Sequence, residues 1–557
     1  MAAGGAPTAA PPATLRVGVV QMSLGPTLAD NCDHIVSRIA QTCALGARVV
    51  VFPEGALRGS DGDDVAAVEA AVAAIRQAAR EHRVYVVCGI SSYRPKAKRN
   101  TNWMFVADPE GREIFRCDKL YDQHSAPMPG VFRIDGIPCS AIICADRWLR
   151  GIEEIPIQQG AQISFELSCN FASEWVAPLE WYWYVPRAMR NNVWVIFANT
   201  GNRLSGVSDT DDPRQLRHGH SAIIAPDGRI AAAARHDTET VVMADLDLNE
   251  ATRGEALARA GHPALEPFWK AGMKLQEGHA VDAPSLRQFT SAETKITLAA
   301  AQVTGDVRAM VAMIGEAHAK GADLIAFPER AISETSLTRL QAAACEHRVT
   351  VVVGAEHEAG DGHRNSAFVL GPTGAVLTRY DQLSAAAPLK PGVSPKAMWF
   401  QVKGVPAVVT IGRDALWLEL AELAAVAGAQ IHVHLDHDAS SSPDASLRRL
   451  QVWSNMASFQ TFTVTANVIS SAVWDDLGGI EERRAEVRGL ARPDAGDVEI
   501  YSPFSANLVV QAGAGPELVL ATRRVRSTNQ YHPRRTSNFN PQMDAWYRLG
   551  ASIIAQE

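Results

Sequence analysis

The chain has 557 residues, 47% of them hydrophobic and 20% charged, the balance of a globular protein with about two or more domains. No apolar run is long enough to span a bilayer. The formal net charge of −8 is spread along the sequence, which excludes the basic footprint of a nucleic-acid or anionic-membrane binder.

Residues 1–13, MAAGGAPTAAPPA, have neither a basic start nor a long apolar stretch and read as a disordered tail, not a signal peptide. LRVGVVQ (15–21) is then a buried strand. A helix is expected to start near Asp30–Asn31, both good N-caps, with Ile35, Ile39 and Cys43 on one face, and to stop before Gly46. ARVVVFP is the next strand, followed by an amphipathic helix over 64–82 and the strand RVYVVCGI. NWMFVADPEGREIFRCDK reads as a hairpin turning at Asp108–Gly111. Late in this half, HSAIIAPDGRIAAAARHDTETVVMADLDL is another strand–turn–strand. Residues 271–294 are polar and non-periodic and read as a linker. The pattern then restarts with KITLAAAQ, LTRLQAAACEH before RVTVVVGA, and NSAFVLGPTGAVLTRYDQ. Apolar strands alternating with helices indicate an α/β architecture. Domains are expected at 14–270 and 295–526, with 527–557 an added tail. Eight scattered cysteines make no disulfide framework, so they are expected to be reduced thiols and the protein cytoplasmic.

The two halves differ where chemistry would sit. CDKLYD (117–122) answers RYDQL (379–383), and GIPCSAIICADRW (136–148) answers GVPAVVTIGRDAL (404–416). Across these pairs Glu54 survives as Glu329, Lys119 becomes Gln382, and Cys144 becomes Gly412. A duplicated fold that drops a thiol and a cation from one copy points to one working site and one retired site. Hydrolysing a C–N bond without a metal requires a deprotonated nucleophile, a base within reach, and a cation or N–H groups aimed at the oxyanion. Glu54, Lys119 and Cys144 supply a carboxylate, an ammonium and a thiol, each at or just past the end of an apolar strand. Singly, each has a plain alternative: a solvated strand end, a surface lysine, a core cysteine.

As an ordered set, these residues and their surroundings resemble the nitrilase superfamily, the carbon–nitrogen hydrolases. The match runs through GARVVVFPEG, CDKLYD, IICADRW, RAMRNNVWVIFANTGN and SAIIAPDG, and the second half is similar to a degenerate second copy. The resemblance implies two tandem αββα sandwiches, a Glu54–Lys119–Cys144 triad, a thioester intermediate, and an oxyanion held by Lys119 and the backbone N–H of Ala145. It implies no cofactor and no metal. Superfamily nitrile hydrolysers usually follow the cysteine with Trp-Glu, so Ala145-Asp146 looks more like the amidase and carbamoylase branches. Arg147 stands where N-carbamoyl amino acid amidohydrolases carry an arginine that grips the substrate carboxylate; the plain alternative is a salt bridge on the helix after the strand. The implied partner is a small-molecule amide or carbamoyl compound, with the second copy as an intramolecular pseudo-dimer and further self-association left open.

Several readings remain open. No glutamate follows Lys119 closely, where many members carry a supporting one; only Asp122 and His124 are there. Glu166 either borders the pocket or pairs with Arg187 or Arg190, Asn170 ends the same strand as a further substrate-binding candidate, and Cys169 is a rival thiol with no matching base. In the second half, His432, His434 and Asp436 share one strand face, a spacing that binds zinc or simply lines a dead cleft. No SGG-type nucleotide loop marks an ammonia-fed synthetase. Alternatives to amide hydrolysis are nitrile hydrolysis or acyl transfer on the same triad, or a non-catalytic scaffold.

Overall fold

The computed structural model describes residues 12–58, 65–94, 99–121, 127–170, 175, 181–201, 217–235, 239–286, 293–303, 305–459, 461–475, 507–513, 515–525 and 541–555. Asp122 and His124, and the first eleven residues of the expected tail, lie outside them.

Each half contains two mixed sheets of the same strand order. In the first half one sheet runs Thr240–Asp247, Thr14–Gln21, Val49–Val51, Tyr85–Arg94, Arg99–Ala107, Glu113–Asp118. The other runs Ile230–Ala233, Ala222–Ile224, Trp194–Asn199, Ile163–Ser168, Ile137–Ile143, Phe132–Ile134. Central strands are parallel and the flanking ones antiparallel. The second half repeats both orders, from Glu517–Val525 beside Thr294–Gln302 in one sheet to Trp399–Val402 beside Val405–Ile411 in the other.

The central strands read as unbroken apolar runs because both faces are buried. Val17, Val19, Val49, Val51 and Val87 point inward against Ile143, Phe165, Leu167 and Ile196 of the facing sheet. Val20, Val50, Phe52 and Val86 point outward under Ile35, Ile39, Val72 and Ile75 of helices Leu28–Ala44 and Val65–His82. The second half covers its outer face likewise with Val307–Ala319 and Leu337–His347. This is an α/β fold of two tandem αββα sandwiches.

The remaining helices join the halves. Gly151–Gln158, Val185–Asn191 and Glu266–Gln276 of the first half pack with Leu418–Val426, Pro443–Ala457 and Pro541–Ile554 of the second. Phe268 stacks on Trp546 with ring centroids 4.3 Å apart, and the Trp546 indole N–H donates to the Phe268 carbonyl at 2.6 Å. No helix among the described residues is long and apolar enough to cross a membrane.

The element boundaries add detail to the expectation. The first helix starts at Leu28, because Thr27 is the residue whose hydroxyl accepts the Asp30 N–H. Asn31 instead turns inward and bonds Gly25 and the Arg58 carbonyl. Helix Glu266–Gln276 runs into the stretch read as a linker, and helix Pro541–Ile554 lies within the expected tail. Both owe their apolar faces to contacts made across the two halves.

Candidate active site

Glu54 follows the strand Val49–Val51 and is 6% exposed. Its seat depends on Gly89 in the neighbouring strand, where a Cβ would stand 2.5 Å from the Pro53 carbonyl and 2.7 Å from Glu54 Cα. Lys119 comes just after the strand Glu113–Asp118 and is pinned by its N–H to the Asn102 carbonyl at 2.9 Å. Its Nζ lies 2.7 Å from Glu54 Oε1, and Asn102 donates to the same oxygen at 3.0 Å. A buried carboxylate thus holds one ammonium and one amide donor.

Cys144 begins the 3₁₀ turn Cys144–Trp148 at the end of the strand Ile137–Ile143, with φ at +50°. A left-handed non-glycine backbone costs about 1–2 kcal/mol, so neighbours must enforce it. Asp146 does so. Its carboxylate accepts the Ile143 N–H at 3.2 Å and the Tyr121 N–H at 2.8 Å, tying the cysteine turn to the segment after Lys119. Burial lifts the Asp146 carboxyl to about 7, while the charges of Lys119 and Glu54 also act on it; all three therefore share one region. The N–H of Ala145 lies in the first turn, where backbone donors have no intrahelical partner.

Arg147 folds back over the nucleophile. Its Nε donates to the Cys144 carbonyl at 3.0 Å, and its Nη2 lies 3.8 Å from Sγ, 3.0 Å from Ser168 Oγ and 2.8 Å from Asn170 Oδ1. The same nitrogen is 2.8 Å from Glu166 Oε1, and both side chains are essentially fully buried. Arg147 thus carries a buried ion pair, and its charge is met inside the protein. The other oxygen of Glu166 pairs with Arg187. Asn170 Oδ1 accepts from the Cys144 thiol at 3.3 Å, and its amide donates to the Tyr184 hydroxyl at 2.8 Å. Cys169 bonds Thr200 at 3.4 Å, and burial pushes its thiol up from the ordinary value.

Sequence reasoning missed Asn102, Ser168, Tyr184 and Asn199, whose Oδ1 accepts the Asn170 N–H at 2.8 Å. For Asn102 a signal existed, because asparagine stands at the same place in both matching hairpin strands, at 102 and 365.

The second copy keeps the frame and fills the site. Asn365 donates to Glu329 Oε1 at 2.7 Å and to Gln382 Oε1 at 2.9 Å. Gly412 has φ +57°, and a Cβ there would lie 2.6 Å from Gln382 Nε2 and 2.8 Å from Glu329 Oε2. The side chains that replace a charged pair close over the place of the missing thiol. Burial, helped by Asp436, raises Glu329 to about 7. His432 and His434 are buried and bond one hydroxyl, Thr410 Oγ1, at 2.8 and 2.9 Å. Burial drives His432 down to about 3, so it is neutral. Among the described residues, no group of three or more His, Cys, Asp or Glu is placed to hold a metal ion.

The family model for carbon-nitrogen hydrolases matches residues 16–255 and again 286–467. No curated protein matches the chain. Among solved structures, the chain is similar to a branch 10 member of the nitrilase superfamily from Saccharomyces cerevisiae, at 19% identity over 43% of this chain and 93% of that one, with a TM-score of 0.37. It is also similar to an amidase from Nesterenkonia sp., at 18% identity over 42% of this chain and 92% of that one, with a TM-score of 0.36. A variant of the Nesterenkonia sp. AN1 amidase with the acetamide moiety of fluoroacetamide added covalently at its active-site cysteine matches at 19% identity, over 46% and 97%, with a TM-score of 0.38.

Proposed function

The chain belongs to the carbon–nitrogen hydrolase family twice over, and from that premise we propose that its first half hydrolyses a linear amide or N-carbamoyl compound through a thioester on Cys144. The observation that carries this reading is one turn built twice, with a thiol at 144 and none at 412, at φ +50° and +57°.

Glu54 takes the thiol proton, and the sulfur attacks the carbonyl carbon. The oxyanion is held by the Lys119 ammonium and the Ala145 N–H. The C–N bond breaks as Glu54 returns the proton to the departing nitrogen. Glu54 then deprotonates water, which attacks the thioester; the acid leaves and Sγ regains its proton. Arg147, 3.8 Å from Sγ, favours the thiolate. Because Glu166 already meets the Arg147 charge, the reading leans to a neutral amide over an acidic one. The second half carries out no such step, since Gly412 has no side chain to acylate and Gln382 no full charge for an oxyanion.

The test is a pair of substitutions in the full chain, assayed by ammonia or amine release from an amide panel. Cys144→Ala is expected to abolish hydrolysis with the fold intact, and Lys119→Gln to lower kcat by on the order of 10²–10³. Turnover by Cys144→Ala above about one part in a thousand of wild type would overturn the assignment.

A further inference from the structure

We propose that Glu419 and Glu422 of the second half are positioning residues for the Cys144 site of the first, an inference that rests on the thioester reading above. The connection is a helix. The turn that bears Cys144 ends at Trp148, and helix Gly151–Gln158 follows with only Leu149 and Arg150 between. Whatever fixes this helix fixes the direction in which the turn presents its thiol.

The helix carries two adjacent buried carboxylates that face different partners. Glu153 bonds Arg187 at 2.8 Å; Arg187 pairs with Glu166, and Glu166 holds Arg147, which in turn bonds the Cys144 carbonyl. Glu154 lies 2.8 Å from Arg190, 3.1 Å from Arg259 and 3.3 Å from Arg150. Those arginines reach across the junction. Arg259 is 3.1 Å from Glu419, Arg150 is 3.4 Å from Glu419 and 2.8 Å from Glu422, and Arg190 donates to Asn455 at 3.1 Å. Every side chain in these ion pairs is 5% exposed or less.

Three arginines meet three glutamates, and two of the glutamates belong to the second half. With the second half in place but its two carboxylates neutralised, three buried cations would be left around one carboxylate, and removing the partner of a buried charge is strongly unfavourable. The arginines, among them Arg150 at the exit of the cysteine turn, would then shift to find other partners. The strained backbone at Cys144 needs its surroundings fixed. Thus the second half, without a thiol of its own, completes the support of the thiol in the first.

The test uses full-length chains carrying Glu419→Gln with Glu422→Gln, and separately Arg150→Lys, which keeps the charge but not the reach. Two readouts are taken on folded protein: the iodoacetamide alkylation rate of Cys144 by peptide mass, with exposed Cys345 as internal reference, and kcat and KM on an amide. The expected result is a fall of about tenfold or more in kcat and in Cys144 alkylation, with KM and Cys345 unchanged, since small misplacements cost rate steeply. Restoring carboxylates as Glu419→Asp with Glu422→Asp should recover part of the loss. A lower melting temperature with both rates within about twofold of wild type, on a scale where tenfold is 1.4 kcal/mol, would overturn the proposal and leave the glutamates as structural. A wild-type Cys144 no faster than Cys345 would instead overturn the thioester reading itself.

Discussion

Cys144 and Gly412 share one left-handed backbone, and the difference between the halves comes down to what stands around them. Beside the Cys144 thiol are Asn170 and a guanidinium; around Gly412 are an amide and a carboxyl that fill the space. Arg147 is the residue for which the structure adds most to the sequence reading. Its spacing from the nucleophile suggests a substrate clamp, yet its partners are Glu166, Ser168 and Asn170, and pairing across strands cannot be read from spacing. If it serves the nucleophile and not a substrate carboxylate, Arg147→Lys loses the forked contact and slows hydrolysis of neutral and acidic amides alike, by on the order of tenfold. Initial rates on a neutral amide and an N-carbamoyl amino acid decide this. A rise in KM confined to the acidic substrate would restore the clamp.

At the level of strands and helices, the segment after Val49–Val51 shows how a site is seated. The Pro53-Glu54 step crosses the neighbouring strand only because Gly89 has no Cβ, and Gly354 does the same for Pro328-Glu329, with 2.5 Å from a Cβ to Glu329 Cα. The obstructing atoms are backbone, so neither site can yield cheaply. Gly89→Ala and Gly354→Ala are therefore expected to destabilise by similar amounts, about 1–3 kcal/mol, whereas only Gly89→Ala displaces Glu54 and slows turnover. Thermal melts beside kcat for the two variants check it, and equal kcat losses would contradict a single working site. The strands themselves were legible in the sequence because both their faces are buried and the pattern occurs twice. Helices Glu266–Gln276 and Pro541–Ile554 were not, since Phe268 and Trp546 find their partners in each other, far apart in the chain. The start of the first helix was legible only approximately because Thr27, Asp30 and Asn31 are all capping residue types, and only their side-chain directions distinguish them.

Across the whole molecule, two sandwiches meet through helices, aromatic stacking and a buried charge network, and the halves have diverged in how they use ionisable groups. Glu329 has lost the lysine that its counterpart keeps, and its carboxyl sits at about 7 under burial and the Asp436 charge, with Arg330 and the Asn365 amide pulling the other way. Its folded pKa is above the 4.5 of an ordinary glutamate, so its share of stability is full in acid and is lost as pH rises through about 7. Glu329→Gln mimics the protonated form; it should melt with wild type near pH 5 and higher than wild type at pH 8, by on the order of a few degrees, with turnover unchanged. A variant that melts lower at pH 8, or that loses turnover, would contradict this. The central claim, that the chain acylates Cys144 and no other residue, has a direct test. Glu54→Gln removes the base that activates the hydrolytic water as well as the thiol, so any acyl group that full-length Glu54→Gln protein takes up on prolonged soaking with a reactive amide should be retained, mapped by peptide analysis to Cys144 and absent when Cys144→Ala is added. An adduct mapped to Cys169 or to the second half, or one that persists when Cys144→Ala is added, would contradict it.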